Sequence, residues 1–297
     1  MTTERRYRVL AYELRLVGSR RNVAFLHRFL APFEADVEEG ANTYELRRET
    51  GGSRPWVVLR DGQALVRGSV AATILEFVLW DVNRSAVASA HGLFSVHAAA
   101  ASWRGRGILL PAPPDSGKST LVAGLTRAGC AYLTDEAALI DPETAIVHPF
   151  PRSLWLERAS VDAVFGPDAE AALRWRTGRQ FHVRPTDLRP RAIGRPCPIR
   201  YVVAPSYVSG SATSLEPMSR AEALTALARQ SFYLGRFGGD GVRLLGRVVE
   251  SAECYRARIG DLDQAVGLIM RMVAGSARSD VENSAIGSEP ASSRRGA

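Results

Sequence analysis

The sequence predicts an α/β protein in which a small N-terminal α+β unit precedes a larger unit organised around one strand–loop–helix segment. Three observations carry that reading. Residues 107–120 run from a short apolar segment through a proline-containing turn into a helix start. Beyond residue 93, apolar runs of strand length alternate with capped helical patterns. Residues 1–92 hold strand, helix and hairpin signals but no cluster of chemistry-bearing side chains. The predicted organisation is one unit over 1–92, a second over 93–275, and a disordered tail over 276–297, where the chain becomes small, polar and charged.

Residues 7–17 alternate apolar and polar in part and predict a strand. Val23, Phe25, Leu26, Phe29 and Leu30 recur at helical spacing, so 21–31 predicts a short helix that Pro32 ends. Residues 43–48 and 56–67 predict strands, the second stretch folding into a hairpin at Asp61 and Gly62. Ser69 is placed to cap the next helix, whose apolar face carries Ile74, Leu75, Val78, Leu79 and Val82. Residues 94–102 predict a strand bearing His97, and 103–106 turn the chain into a returning strand at 107–110. After the loop, 119–128 predicts a helix stopped by Gly129. A strand at 131–134 ends in Asp135 and Glu136, and 138–140 with 146–147 predicts a hairpin.

Residues 152–195 differ in kind. They are arginine-rich, contain three prolines and have poor periodicity apart from a short helical pattern at 168–175. They read either as a solvated, mobile insertion or as a loop that clamps phosphates or an acidic substrate. Residues 201–204 predict a strand, and Ser219 with Glu222 forms a capping box that opens a helix through Leu234, stopped at Gly235. Residues 254–259 predict a strand, and Asp261 caps a helix over 262–273 with Gly275 after it.

The chemistry is declared at Gly117, Lys118, Ser119 and Thr120, the tail of the pattern G-x-x-x-x-G-K-[ST], with Ala112 in place of the first glycine. Lys118 is the only lysine in the chain; every other cationic side chain is an arginine. A compact ammonium fits between phosphate oxygens where a planar guanidinium fork does not. Pro113, Pro114, Asp115 and Ser116 complete the loop. Inward-directed amides in such a loop make an anion nest, and the following helix adds its positive dipole end. Lys118 would reach the β- and γ-phosphates and Ser119 would hold a divalent metal. The two prolines stiffen the turn, while the Cβ of Ala112 suits a positive φ poorly.

Composition narrows the class. A chain of 297 residues with 46% hydrophobic content can build a core without staples. No apolar run reaches the roughly 20 residues of a membrane span, and the N-terminus lacks a signal-type apolar run. Cys130, Cys197 and Cys254 form no C-x-x-C, which suits a reducing cytoplasm rather than a disulfide or zinc scaffold. The five histidines have no metal-site spacing. The net charge is +7, but the arginines are spread rather than gathered into a basic run with interleaved aromatics, which argues against nucleic acid.

Asp135 and Glu136 end the first strand after the loop's helix, so their carboxylates would emerge near the phosphates. One would hold the metal and the other accept a proton from an attacking hydroxyl. His97, on the strand beside the one feeding the loop, would orient Asp135 or take part in proton transfer, or serve as a buried structural histidine.

The order of these parts resembles the HPr kinase/phosphorylase-like kinases. The resemblance rests on Val96 to Ala99 around His97, on Leu109 to Leu121 across the loop, and on Leu133 to Glu136. It is closest to the branch of HPr-kinase-related serine kinases, some of which accompany peptide natural-product clusters. It implies a P-loop kinase core related to phosphoenolpyruvate carboxykinase and ATP-dependent phosphorylation of a serine hydroxyl with Mg. It carries loop roles to Lys118 and Ser119, the acid/base role to Asp135 and the family's histidine to His97. The HPr enzymes proper carry two aspartates where this chain has Asp135 and Glu136, and the chain has no counterpart of their downstream glycine-rich signature.

The resulting expectation is a cytoplasmic kinase moving the γ-phosphoryl group of ATP to a serine or other hydroxyl of a peptide or protein. Asp135, His97 and Lys118 are the expected catalytic residues, residues 113–120 bind nucleotide, and Ser119 with Glu136 hold Mg. No membrane is expected as partner, and the oligomeric state, a homo-oligomer included, is left open. The alternatives are a nucleotide-binding regulatory module without phosphotransfer and a small-molecule kinase.

Overall fold

The computed structural model describes residues 2–38, 40–50, 52–169, 175–177 and 179–286. It is a mixed α/β fold with eight α-helices and three sheets among the described residues. Strand β1 (Thr2–Val9) pairs antiparallel with β2 (Tyr12–Ser19). The sequence predicts a single strand here. The chain instead reverses at Leu10, which takes a positive φ of 57° without the glycine or asparagine that marks such turns. Helix α1 (Arg20–Leu30), capped by the Ser19 hydroxyl, crosses over to β3 (Asn42–Arg48), which runs parallel to β2. The β4 (Trp56–Arg60) and β5 (Gln63–Gly68) hairpin turns at Asp61 and Gly62 as the sequence predicts. Helix α2 (Ala71–Ser89) starts after Val70 without a side-chain cap, so Ser69 does not cap it.

Alternation along β2 buries Tyr12, Leu14 and Leu16 on one face, against Leu26 and Leu30 of α1 and Val78 and Val82 of α2. The same apolar cluster takes in Ala137, Leu139 and Phe150 from the rest of the chain. The first unit therefore shares a core with the second.

The large sheet begins with β6 (Phe94–Trp103) and β7 (Arg106–Pro111), an antiparallel hairpin. Helix α3 (Lys118–Arg127) follows the loop. On one side of the hairpin, β6 pairs with β8 (Ala131–Thr134) and β9 (Ala137–Ile140), and β9 continues to β10 (Ile146–His148). A three-stranded sheet, β11 (Leu154–Glu157), β12 (Arg176–Thr177) and β13 (Gln180–Val183), accompanies helices α4 (Arg158–Phe165) and α5 (Pro185–Leu188). On the other side of the hairpin, β7 runs parallel to β14 (Cys197–Tyr207). Next come β15 (Ser214–Pro217), helices α6 (Arg220–Arg229) and α7 (Leu234–Ser251), β16 (Glu253–Ile259) parallel to β14, and helix α8 (Leu262–Ile286).

The apolar run at residues 107–110 is explained by burial on both faces of this sheet. Ile108 and Leu110 pack against Leu121 and Leu125 of α3 and Ile269 of α8. Leu109 faces the opposite way, with Leu227 of α6 and Leu244 and Val248 of α7. Gly124 allows α3 and α8 to approach, since a Cβ there would sit 2.9 Å from Val266.

Three expectations are corrected. Residues 152–195 are not a solvated insertion: Leu154, Leu156, Val161, Val164, Phe181 and Val183 enter the core. Most of the helical pattern at 168–175 lies outside the described residues. The helix from Ser219 ends at Arg229, and α7, absent from the sequence reading, follows. Gly235, expected to stop the preceding helix, instead lies in the first turn of α7, and Gly238 kinks it with a φ of 51°. Gly241 is required by contact, because a Cβ would lie 2.9 Å from Phe94. Finally, α8 runs through Gly275 to Ile286, so part of the expected tail is helical. A helical glycine costs only about 1 kcal/mol, which neighbouring helix-compatible residues tolerate. Residues 287–297 lie outside the described part.

Candidate functional site

The loop sits at the carboxyl ends of the parallel strands β7, β14 and β16, where an open α/β sheet leaves a crevice. Pro113, Pro114 and Asp115 are exposed at its tip, while Ser116 and Gly117 are half-buried. The positive φ angles fall on Asp115 (60°) and Gly117 (87°), not on Ala112, so the missing first glycine imposes no strain. The Tyr207 amide donates to the Ser116 carbonyl at 3.1 Å, tying the loop to the end of β14. A Cβ on Gly117 would lie 3.3 Å from that of Tyr207.

Gly117 is the N-cap of α3 and supplies no side-chain cap, so the first amides of the helix are left for another acceptor. The Ser116 hydroxyl is buried and has no hydrogen-bond partner among the described residues. Lys118 is 5% exposed and folds back over the loop, its Nζ donating to the Pro113 carbonyl at 2.7 Å. Burial lowers the Lys118 pKa from its ordinary value, against the opposing pull of Glu136, Asp135 and Asp115. An anion delivered into this loop meets a ready ammonium, open amides and an orphaned hydroxyl. The residues present therefore fit a phosphate chain. Thr120 is turned away from the cradle and donates to Ser160 of α4 at 2.8 Å.

Strand β8 brings Asp135 to the loop. Its Oδ2 accepts from Ser119 Oγ at 3.3 Å and its Oδ1 from Tyr132 Oη at 3.0 Å. Arg152 completes the shell, with Nε on Oδ1 at 2.9 Å and Nη2 on Oδ2 at 3.2 Å. The same Nη2 reaches Glu136 Oε2 at 3.2 Å. Arg152 and Asp135 are both buried, 8% and 2% exposed, while Glu136 keeps 48% of its side chain in solvent. Burial works against the Arg152 charge, but Asp135 and Glu136 more than offset it and hold its pKa above the ordinary value. Tyr132 is pushed well above the usual phenol range by burial and by Asp135, so it stays a proton donor.

His97 lies on β6 in register with Ala137, and its neighbour Ala98 pairs with Pro111 at the end of β7. Its Nδ1 is 3.1 Å from Gln230 Oε1 and its Nε2 is 3.9 Å from Glu136 Oε1. The histidine therefore serves Glu136, whereas Asp135 is oriented by Arg152, Tyr132 and Ser119. The sequence-predicted residues Lys118, Ser119, Asp135, Glu136 and His97 thus meet at one end of the sheet. Sequence reasoning missed Arg152, Tyr132 and Gln230. Arg152 was one arginine among many; the only signal was its place after the extended Pro149, Phe150 and Pro151, where the Phe150 amide continues pairing with the Leu133 carbonyl at 2.8 Å.

No helix among the described residues is long and apolar enough to cross a membrane. No family model matches the chain, and no curated protein matches it. Among solved structures, the chain is similar to the HPr(Ser) kinase/phosphatase of Coxiella burnetii, at 12% identity over 63% of this chain and 98% of that one, with a TM-score of 0.30. That is a distant structural likeness, and it carries nothing about the site.

Proposed function

We propose that this chain is a P-loop kinase that binds ATP at residues 113–120 and transfers its γ-phosphoryl group to a hydroxyl, a serine of a peptide or protein being the acceptor best matched. The observation that carries the reading is the meeting of a strand–loop–helix bearing Lys118 and Ser119 with two carboxylates, Ser119 Oγ lying 3.3 Å from Asp135 Oδ2. In phosphoryl transfer the protein's task is positioning and charge stabilisation, which these groups serve.

The geometry favours exchanging the roles expected of the two carboxylates. Asp135, its oxygens engaged by Arg152, Tyr132 and Ser119, is a positioned anion next to a loop hydroxyl. Ser119 and Asp135 would hold Mg, which when bound neutralises charge on the phosphate oxygens. Glu136 is solvent-accessible and adjoins His97, so it is the better acceptor for the proton of an incoming hydroxyl. Lys118 lies within the loop to counter charge on the departing diphosphate. Gln230 holds the His97 ring.

A second reading has one specific observation in its favour. Arg152 engages both carboxylates at once, an arrangement that would also suit a nucleotide-binding module without transfer. The deciding experiment gives the purified chain γ-labelled ATP, Mg and serine-containing peptides. Label on a peptide from the wild-type chain, lost in Lys118→Ala, supports the kinase. ATP binding with no transfer to any hydroxyl supports the module.

A further inference from the structure

Beside the loop lies a groove of about 690 Å³ at the carboxyl ends of β7, β14 and β16. Its lining includes small residues, Ala112, Ala204 and Ala257, and three arginines, Arg229, Arg256 and Arg258. Arg256 and Arg258 project from one face of β16, two residues apart. Arg229 ends α6 on the facing wall. Arg256 lies 3.3 Å from Glu222 Oε1. Arg229 and Arg258 have no ion-pair partner among the described residues, and the one carboxylate lining the groove is Glu216.

The groove opens towards the reacting groups. Gln230 lines it, accepts from the His97 amide through its carbonyl at 2.7 Å, and holds the His97 ring through its side chain. His97 in turn faces Glu136. No aromatic ring lines the groove, so it offers no stacking platform for a nucleobase. Guanidiniums without partners favour carboxylates, to which they bind in a forked, bidentate manner.

We propose that this groove receives an acidic segment of the acceptor, so that the hydroxyl phosphorylated lies in a peptide flanked by aspartate or glutamate. The proposal rests on the kinase reading for its purpose, but its binding step can be tested without any transfer.

The test measures fluorescence anisotropy of a labelled Glu-Glu-Ser-Glu-Glu peptide with the full chain, beside a Lys-Lys-Ser-Lys-Lys peptide and a parallel titration of ATP. The wild-type chain should prefer the acidic peptide. Arg229→Ala with Arg258→Ala should bind it about tenfold more weakly while ATP affinity holds. A control pair, Arg20→Ala with Arg21→Ala, removes the same charge from an exposed helix start elsewhere and should change nothing. Equal binding of both peptides, an equal loss in the control pair, or a loss of ATP affinity instead of peptide affinity in the groove variant would each overturn the proposal. Failure of the kinase reading looks different: the acidic peptide binds but is never phosphorylated.

Discussion

The Arg152 guanidinium grips the Asp135 carboxylate with two hydrogen bonds, Nε to Oδ1 at 2.9 Å and Nη2 to Oδ2 at 3.2 Å, and neither side chain has appreciable contact with solvent. The pair joins the strand that ends beside the loop to the arginine-rich segment that follows. Removing one member strands the other's charge in the interior, which costs far more than an exposed ion pair is worth. Arg152→Ala is therefore expected to lower unfolding free energy by about 3–5 kcal/mol, measured by urea denaturation. A loss below 1 kcal/mol would mean that the pair is not buried as described.

The carboxylates should separate in their effects. Glu136→Gln is expected to leave Mg-dependent ATP binding intact and to slow phosphoryl transfer by roughly a hundredfold or more, the range for loss of a general base. Asp135→Asn should weaken Mg-dependent ATP binding itself. Titration calorimetry and label transfer on both variants check this. The reverse pattern would restore the roles expected from sequence.

Gly117 sits at a φ of 87°, and a Cβ there would press on Tyr207 at 3.3 Å. Gly117→Ala is expected to destabilise the fold by roughly 1–2 kcal/mol through the left-handed backbone, and to weaken ATP binding as the loop shifts. Thermal unfolding with and without ATP reads both effects.

His182 gives the fold a pH signature. It is buried between Trp155 and Phe29, and burial, with the nearby Arg152 charge adding to it, pushes its pKa down to about 4. In the unfolded chain it titrates near its usual 6.5. Above that value both states leave it neutral. As pH falls from 6.5 to about 4 the unfolded state takes up a proton that the folded state refuses, so stability falls across that window, by roughly 3 kcal/mol in all. Denaturation curves between pH 7 and 4 should show this slope for the wild-type chain and a flatter one for His182→Phe.

What could be read from sequence follows from how local the cause is. The loop, the helix after it, the hairpin at Asp61 and Gly62 and the capping box at Ser219 are set by neighbours in the chain, and each appears where the residues place it. Asp135, Glu136 and His97 were legible because short strands carry them to the loop's end of one sheet. The turn at Leu10 and helix α7 were not, since one uses a residue foreign to such turns and the other hides its apolar stripe among five glycines. Arg152 was illegible for a different reason. Its meaning comes from a partner 17 positions away in sequence, joined by tertiary packing.

The central claim is that Lys118, the only lysine of the chain, closes a loop over a triphosphate. Titration calorimetry of ATP with Mg into the wild-type chain and Lys118→Ala, each checked for native folding, tests it most directly. The account predicts saturable binding by the wild type and an affinity roughly ten- to a hundredfold lower in the variant, the worth of one or two charge-assisted hydrogen bonds. Equal affinities in the two proteins, or no binding by the folded wild-type chain, would contradict it.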